Sequence, residues 1–500
     1  MNDANKATGA DDLVPDQVIP HGALPPLKYR DLPKPVPLWR MIGPSIMLAG
    51  LALGSGEFIL WPKLTYLSGF VFFWACLLGV ATQYFINMEI ARWTLATGES
   101  AITGFCRLNR HWAWVFLFLN IVPWIIPAWA KGAAQMMTWL IWSPEGGQVG
   151  GTHATLLAVA GLLACGAILT AGPVIYETIE RIQMFLVSLV ILLVIGLAVW
   201  IVRGDAVIAM LHGAVGIGQL PVMDSTEITP IMLLGALAFA GAGGTLNLGQ
   251  SNYIKDKGYG MGHYIGRITS PITGQQEAVA EIGYHFPETA ENLARWRRWW
   301  RAAGLEHFFS FFLTCVICLV LLTLISYSVF YSPGTGVLRE GAREYAADIQ
   351  FIWGEAEHLG GLGRVLFLLT GVAILLTTEF GVLDVCSRIS TDIVKVNWLR
   401  ENENWSESRL YFVFLWGTIG LGTIFLLVGT EAIKGSFVLF KMTAAMNGVV
   451  MFFYCMTLIY LNFWRLPRSI RMSWWRLLVM IWAVLFFGFF AVWAAWSVLT

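Results

Sequence analysis

Apolar residues fall into eleven long runs along this chain, separated by polar connections. Their limits are 43–68, 70–96, 112–141, 153–171, 182–202, 230–254, 307–331, 363–388, 409–429, 435–463 and 475–498. Each is near the ~20 residues a helix needs to cross a hydrocarbon core. The predicted fold class is all-α and integral to the membrane. Two runs carry weak points. In the first, Gly54-Ser55-Gly56 puts two glycines around a serine, and glycine costs about 1 kcal/mol relative to alanine inside a helix. Glu57 follows at once, at a depth where charge is expensive and usually functional. In the sixth run, Gly241-Ala242-Gly243-Gly244 makes a second weak point. Interrupted helices in corresponding places of two halves mark the central site of a secondary transporter, so helices 1 and 6 are predicted to be discontinuous.

Composition agrees: 57% of the 500 residues are hydrophobic and 13% charged, which excludes an ordinary soluble domain and a disordered chain. Formal net charge is zero, so no bulk argument for nucleic acid arises. The expected partners are the bilayer and a small-ion or small-molecule substrate, with the chain a monomer. Lys and Arg gather in alternate connections: Lys28 to Arg40 before span 1, Arg107 and Arg110 after span 2, Arg181 after span 4, Lys255 to Arg301 after span 6, Arg388 to Arg400 after span 8 and Arg465 to Arg471 after span 10. That pattern predicts a cytoplasmic N-terminus and an external C-terminus in the plasma (inner) membrane. Residues 1–42, polar and proline-rich, read as a cytoplasmic tail, and 256–305 as one soluble insertion. Within it, Arg295-Trp296-Arg297-Arg298-Trp299-Trp300-Arg301 reads as inside charge beside span 7, or as a basic amphipathic stretch on the inner leaflet. The connection 332–361 reads as a loop with one short helix.

Few ionisable residues fall inside the runs. Glu57 is in span 1, with Lys63 after Pro62 toward its outer end, Glu89 and Arg92 close span 2, Lys131 is in span 3, Glu379 and Asp384 are in span 8, and Lys441 is in span 10. Buried charges must pair or titrate. Glu57 is expected either to ligate a cation beside an unwound backbone or to pair with Lys131. Thr245, Asn247 and Gln250 follow the second weak point and offer neutral oxygens, or helix–helix hydrogen bonds. Asp384 and Arg388, four apart, are spaced to pair with one another. The eight histidines fall in loops or at span ends, and the C-x-x-C of Cys315 and Cys318 reads as packing. With no H-E-x-x-H, P-loop or nucleophile motif at a useful place, no enzyme activity and no cofactor are expected.

The chain resembles the Nramp family of divalent-metal transporters over about 43–464. The likeness rests on Gly43-Pro44, Ala96-Thr97-Gly98-Glu99-Ser100, Phe105-Cys106-Arg107, Tyr176-Glu177-Thr178-Ile179-Glu180-Arg181, Leu233-Leu234-Gly235-Ala236, Gly381-Val382-Leu383-Asp384 and Ser390-Thr391-Asp392. The resemblance implies a LeuT-like fold, two inverted five-helix repeats in 43–464 plus an eleventh helix in 465–500. It implies alternating-access transport of a divalent cation, the substrate rather than a cofactor. The site would be Gly54, Ser55, Gly56, Glu57, Gly243, Gly244, Thr245, Asn247 and Gln250, with Glu57 and Thr245 on the metal and Lys131, Glu379 and Asp384 in secondary or coupling roles. Departures fall on the site. The family's Asp-Pro-Gly-Asn stands here as Gly54-Ser55-Gly56-Glu57, and its Met-Pro-His as Gly243-Gly244-Thr245. Its acidic relay falls at Ala128 and Lys131. Loss of the thioether favours hard ions such as Mg²⁺ or Mn²⁺, and loss of the relay argues against proton coupling of the family's kind. The other reading is an amino acid or other small organic solute, its carboxylate bound at the Gly-Ser-Gly break.

Overall fold

The computed structural model describes residues 12–142, 151–172, 175–223, 227–268, 282–429 and 435–499. Among these, nine helices are long and apolar enough to cross a membrane: α1 (Pro44–Ser68), α4 (Trp112–Trp142), α5 (Gly151–Ala171), α6 (Ile175–Ile201), α10 (Ala290–Phe330), α12 (Gly361–Asn397), α13 (Glu407–Val428), α14 (Ser436–Arg465) and α15 (Trp474–Leu499). Helices of eight residues or more beside these are α2 (Phe73–Thr97), α3 (Ala101–Leu108), the short α7 (Gly204–Val215), the pair α8 (Pro230–Ala238) and α9 (Gly244–Lys257), and α11 (Gln350–Leu359). The α11 helix is the one expected within 332–361. Burial separates centre from rim. The apolar window of α1 is 94% buried, against 28% for α6 and 33% for α5 and α13.

The expected interruption of helix 1 is absent. The chain stays helical through Gly54 and Gly56, with Leu53–Leu60 wound as a π-helix. Two causes act together. Pro62 follows this segment, and its ring would clash with the Phe58 carbonyl in regular α winding, so a wide turn absorbs it. The glycines permit close approach: a Cβ on Gly56 would lie 1.3 Å from the Phe239 carbonyl oxygen, and one on Gly54 would lie 2.1 Å from Thr378 Oγ1.

The interruption of the sixth run is present. Thr229 caps α8, its hydroxyl accepting from Met232 N at 3.3 Å, with Pro230 at the first helical position. The helix stops at Ala238, and α9 starts at Gly244. Gly241, Gly243 and Gly244 have φ of 132°, 72° and 53°, a region that glycine enters without steric cost. A further break, which the hydropathy pattern does not reveal, divides α4 into Trp112–Trp124 and Ala128–Trp142. Pro127 lies at the junction, with no N–H to continue the ladder.

The last part of the soluble insertion and span 7 are one helix, since α10 runs unbroken from Ala290 into the apolar stretch, with a π segment at Phe308–Leu313. Residues 269–281 of that insertion lie outside the described residues. The described part of the N-terminal tail is a strap rather than a loose arm. Its strand β1 (Lys28–Tyr29) pairs in parallel with β2 (Tyr284–His285). Arg107 donates to the Pro25 carbonyl at 3.0 Å while pairing with Glu99, and Trp299 donates to the Pro33 carbonyl at 2.8 Å.

Candidate functional site

A break in a buried helix strands backbone groups that must find partners. At the α8–α9 interruption some find them in side chains of neighbouring helices. Gln83 of α2 spans the gap: its amide nitrogen donates to the Ala238 carbonyl at 2.8 Å, and its oxygen accepts from Gly243 N at 3.2 Å and from Asn247 Nδ2 at 3.3 Å. Asn447 of α14 accepts from Thr245 N at 3.3 Å. Trp124 of α4 donates to the Thr245 hydroxyl at 2.7 Å, and Asn247 donates to Tyr454 at 3.0 Å. Other amides stay unanswered. Among the described residues no acceptor meets the N–H of Gly241, Ala242, Gly244 or Leu246, and all of these residues are buried. Beside them is an aromatic wall. Trp129 lies 5.6 Å from Trp124, 6.1 Å from Phe239 and 5.7 Å from Phe440 between ring centroids, and its indole N–H has no partner. Helix α1 closes this region where Gly56 meets Phe239.

The structure distributes the expected site residues differently from the sequence reading. Gly56, Gly243, Gly244, Thr245 and Asn247 are at the interruption. Gly54 contacts Thr378 of α12 instead. The side chain of Ser55 lies outside the described residues. Glu57 is fully buried, and neither carboxyl oxygen has a hydrogen-bond partner. The thiols of Cys76, Cys315 and Cys318, on α2 and α10, are within its electrostatic reach. No described contact joins Glu57 to Thr245, whose hydroxyl is taken by Trp124, so the expected pair of metal ligands is not assembled. Among the described residues no group of three or more His, Cys, Asp and Glu side chains is arranged to hold a metal ion.

The remaining expected residues have structural partners. Lys131 donates to Thr155 of α5 at 3.0 Å rather than pairing with Glu57. Glu379 accepts from Ala130 N at 3.1 Å and so caps the half of α4 that restarts after Pro127. Asp384 accepts from Arg388 at 2.8 Å, Tyr253 at 3.0 Å and Tyr411 at 2.7 Å, while Arg388 also binds Asp256. The Asp384–Arg388 pairing read from their spacing is therefore present, within a larger buried node. Gln250 belongs to a chain of polar groups instead of the interruption. Its Nε2 is 3.2 Å from His307 Nδ1, which is 2.9 Å from Ser45 Oγ, and Ser45 binds Glu306. His307 thus lies buried inside the continuous α10, not at the end of a helix.

Gln83, Asn447, Tyr454 and Trp124 hold the interruption together, and sequence reasoning did not select them. A signal existed for two of them: Gln83 and Asn447 are amides within apolar runs, where an uncharged polar side chain commonly bonds across helices.

No protein-family model matches this sequence, and no curated protein matches it. Solved structures do match its fold. A single-residue variant of a manganese transporter from Eremococcus coleocola superposes with a TM-score of 0.62 at 10% identity, covering 96% of this chain and 90% of that one. The same transporter in complex with an aromatic bis-isothiourea compound gives 0.61 at 10% identity with the same coverage. A further variant gives 0.60 at 11% identity, covering 93% and 88%. The likeness is one of fold, and it agrees with the resemblance drawn from the sequence.

Proposed function

We propose that this chain is a multi-pass membrane transporter that carries a small organic solute bearing a carboxylate, by alternating access around the α8–α9 interruption. The observation that carries this reading is the set of buried, unanswered amides at Gly241, Ala242, Gly244 and Leu246. A buried donor without a partner costs about 1–3 kcal/mol, so a docked carboxylate would offset several such penalties. The N-terminus of α9 favours negative charge at the same point. Trp124, Trp129, Phe239 and Phe440 would meet the apolar part of the solute. Helices α2 and the α8–α9 pair are taken as spans beside the nine apolar helices, giving eleven, with the N-terminus cytoplasmic, in a plasma membrane. The first ten would form two inverted repeats of five. The reading needs no acidic proton relay.

A second cargo, Mn²⁺ or Mg²⁺, is favoured by the likeness in fold to manganese transporters and by the unpartnered carboxyl of Glu57. In that reading Glu57 would have to turn toward the interruption as the protein changes state. Uptake into proteoliposomes separates the two cargos. Accumulation of a labelled amino acid or carboxylic acid, uncompeted by Mn²⁺ or Mg²⁺, is the expected result. Saturable Mn²⁺ or Mg²⁺ uptake that organic acids do not compete would select the cation.

A further inference from the structure

The basic half of α10 has a face that the transport site does not use. Ala294, Arg297, Arg298, Arg301, Ala302 and Leu305 recur at helical spacing and, with Leu38, line a surface groove of about 440 Å³. The opposite face is occupied, since Asn292, Trp296, Trp299 and Ala303 are buried against the chain. Arg295 is also engaged, with Glu291 and the Leu32 carbonyl. Arg297, Arg298 and Arg301 are exposed, and no carboxylate pairs with any of them among the described residues. Three guanidinium groups on one stripe repel one another unless an anion joins them.

The groove opens onto apolar surface. Leu305, Phe308 and Phe309 are 42%, 39% and 56% exposed as α10 continues into its apolar stretch, and Trp39 and Ile42 are exposed beside Leu38. At 1.5 Å per residue, Phe309 lies roughly 12 Å beyond Arg301 along the helix. A cationic groove directly above bare apolar side chains matches a molecule with an anionic head and hydrocarbon tails. We propose that this groove binds an anionic phospholipid, its phosphate between Arg297, Arg298 and Arg301 and its acyl chains along Leu305, Phe308 and Phe309. The proposal rests on α10 entering the bilayer and is independent of the cargo.

Native mass spectrometry of the full chain in detergent, titrated with phosphatidylglycerol or phosphatidylcholine, tests it. Phosphatidylglycerol is expected to bind preferentially. Affinity should fall about fivefold for each arginine changed to glutamine, and roughly 100-fold for the triple variant R297Q/R298Q/R301Q. Arg295→Gln, outside the groove, should leave binding of this lipid unchanged. Equal binding of both lipids, or an unaffected triple variant, would overturn the proposal. Displacement of the lipid by millimolar glycerol phosphate would also overturn it, because the groove would then hold a free phosphate rather than a lipid.

Discussion

At Gly56 a single hydrogen atom decides how two helices meet. A methyl group there would overlap the Phe239 carbonyl, so Gly56→Ala must push α1 away from the interruption. Overpacking of this kind typically costs 1–3 kcal/mol. The expected outcome is a lower melting temperature in detergent and a loss of uptake, with the protein still inserted. Titration at Glu355 makes a second residue-scale effect. This carboxyl on α11 is buried, and burial pushes its pKa up to about 8. The folded state therefore binds the proton more tightly than the unfolded chain, whose glutamates titrate near pH 4.3. Stability is fully present below that unfolded value and is lost as pH rises toward 8. Glu355→Gln removes the cost of ionising a buried acid, so thermal melts above pH 8 should show the variant more stable than the parent. Identical melting curves across pH 5 to 9 would contradict that assignment.

Among the elements, the two glycine-rich stretches teach opposite lessons. At Gly241–Gly244 glycine supplies positive φ, and the helix stops; at Gly54–Gly56 it supplies close approach, and the helix continues as a π segment. A sequence reports a glycine in both cases, and only the partner, Phe239 or Thr378, tells them apart. Those partners are distant in the chain, so local pattern could not distinguish break from contact. The interruption in α8–α9 depends in turn on Gln83. Gln83→Leu would leave Gly243 N and the Ala238 carbonyl without partners, at about 1–3 kcal/mol for each buried group. Uptake should be lost in this variant and its melting temperature lowered, whereas an unaltered protein would show that Gln83 does not brace the gap.

Over the whole molecule, the hydrophobic runs located the apolar part of every long helix, because the length and apolarity of a span are written locally, but they missed polar helical turns at the start of α6, the start of α10 and the end of α12. What escaped were features made by long-range polar contacts. The strap from the N-terminus is held by Arg107, Asn292 and Trp299, and the join between the insertion and span 7 is carried by one unbroken amphipathic helix. The interruption of the sixth run was legible in the sequence; the contacts of the side chains around it were not. Thr245 and Asn247 are at the interruption, yet their side-chain donors and acceptors mainly brace it, and backbone amides supply the free donors. Lys131, Glu379 and Asp384 each satisfy a neighbouring helix, as buried polar groups must.

The break between α8 and α9 is proposed to hold a carboxylate. That proposal is tested most directly by labelled uptake into proteoliposomes, with a panel of amino acids and carboxylic acids set against Mn²⁺ and Mg²⁺, in the parent and in Glu57→Gln. One organic acid should be concentrated, insensitive to either metal, with Glu57→Gln still transporting because its carboxyl makes no hydrogen bond to the amides. Saturable metal uptake abolished by Glu57→Gln, with no organic acid moved, would contradict the proposal.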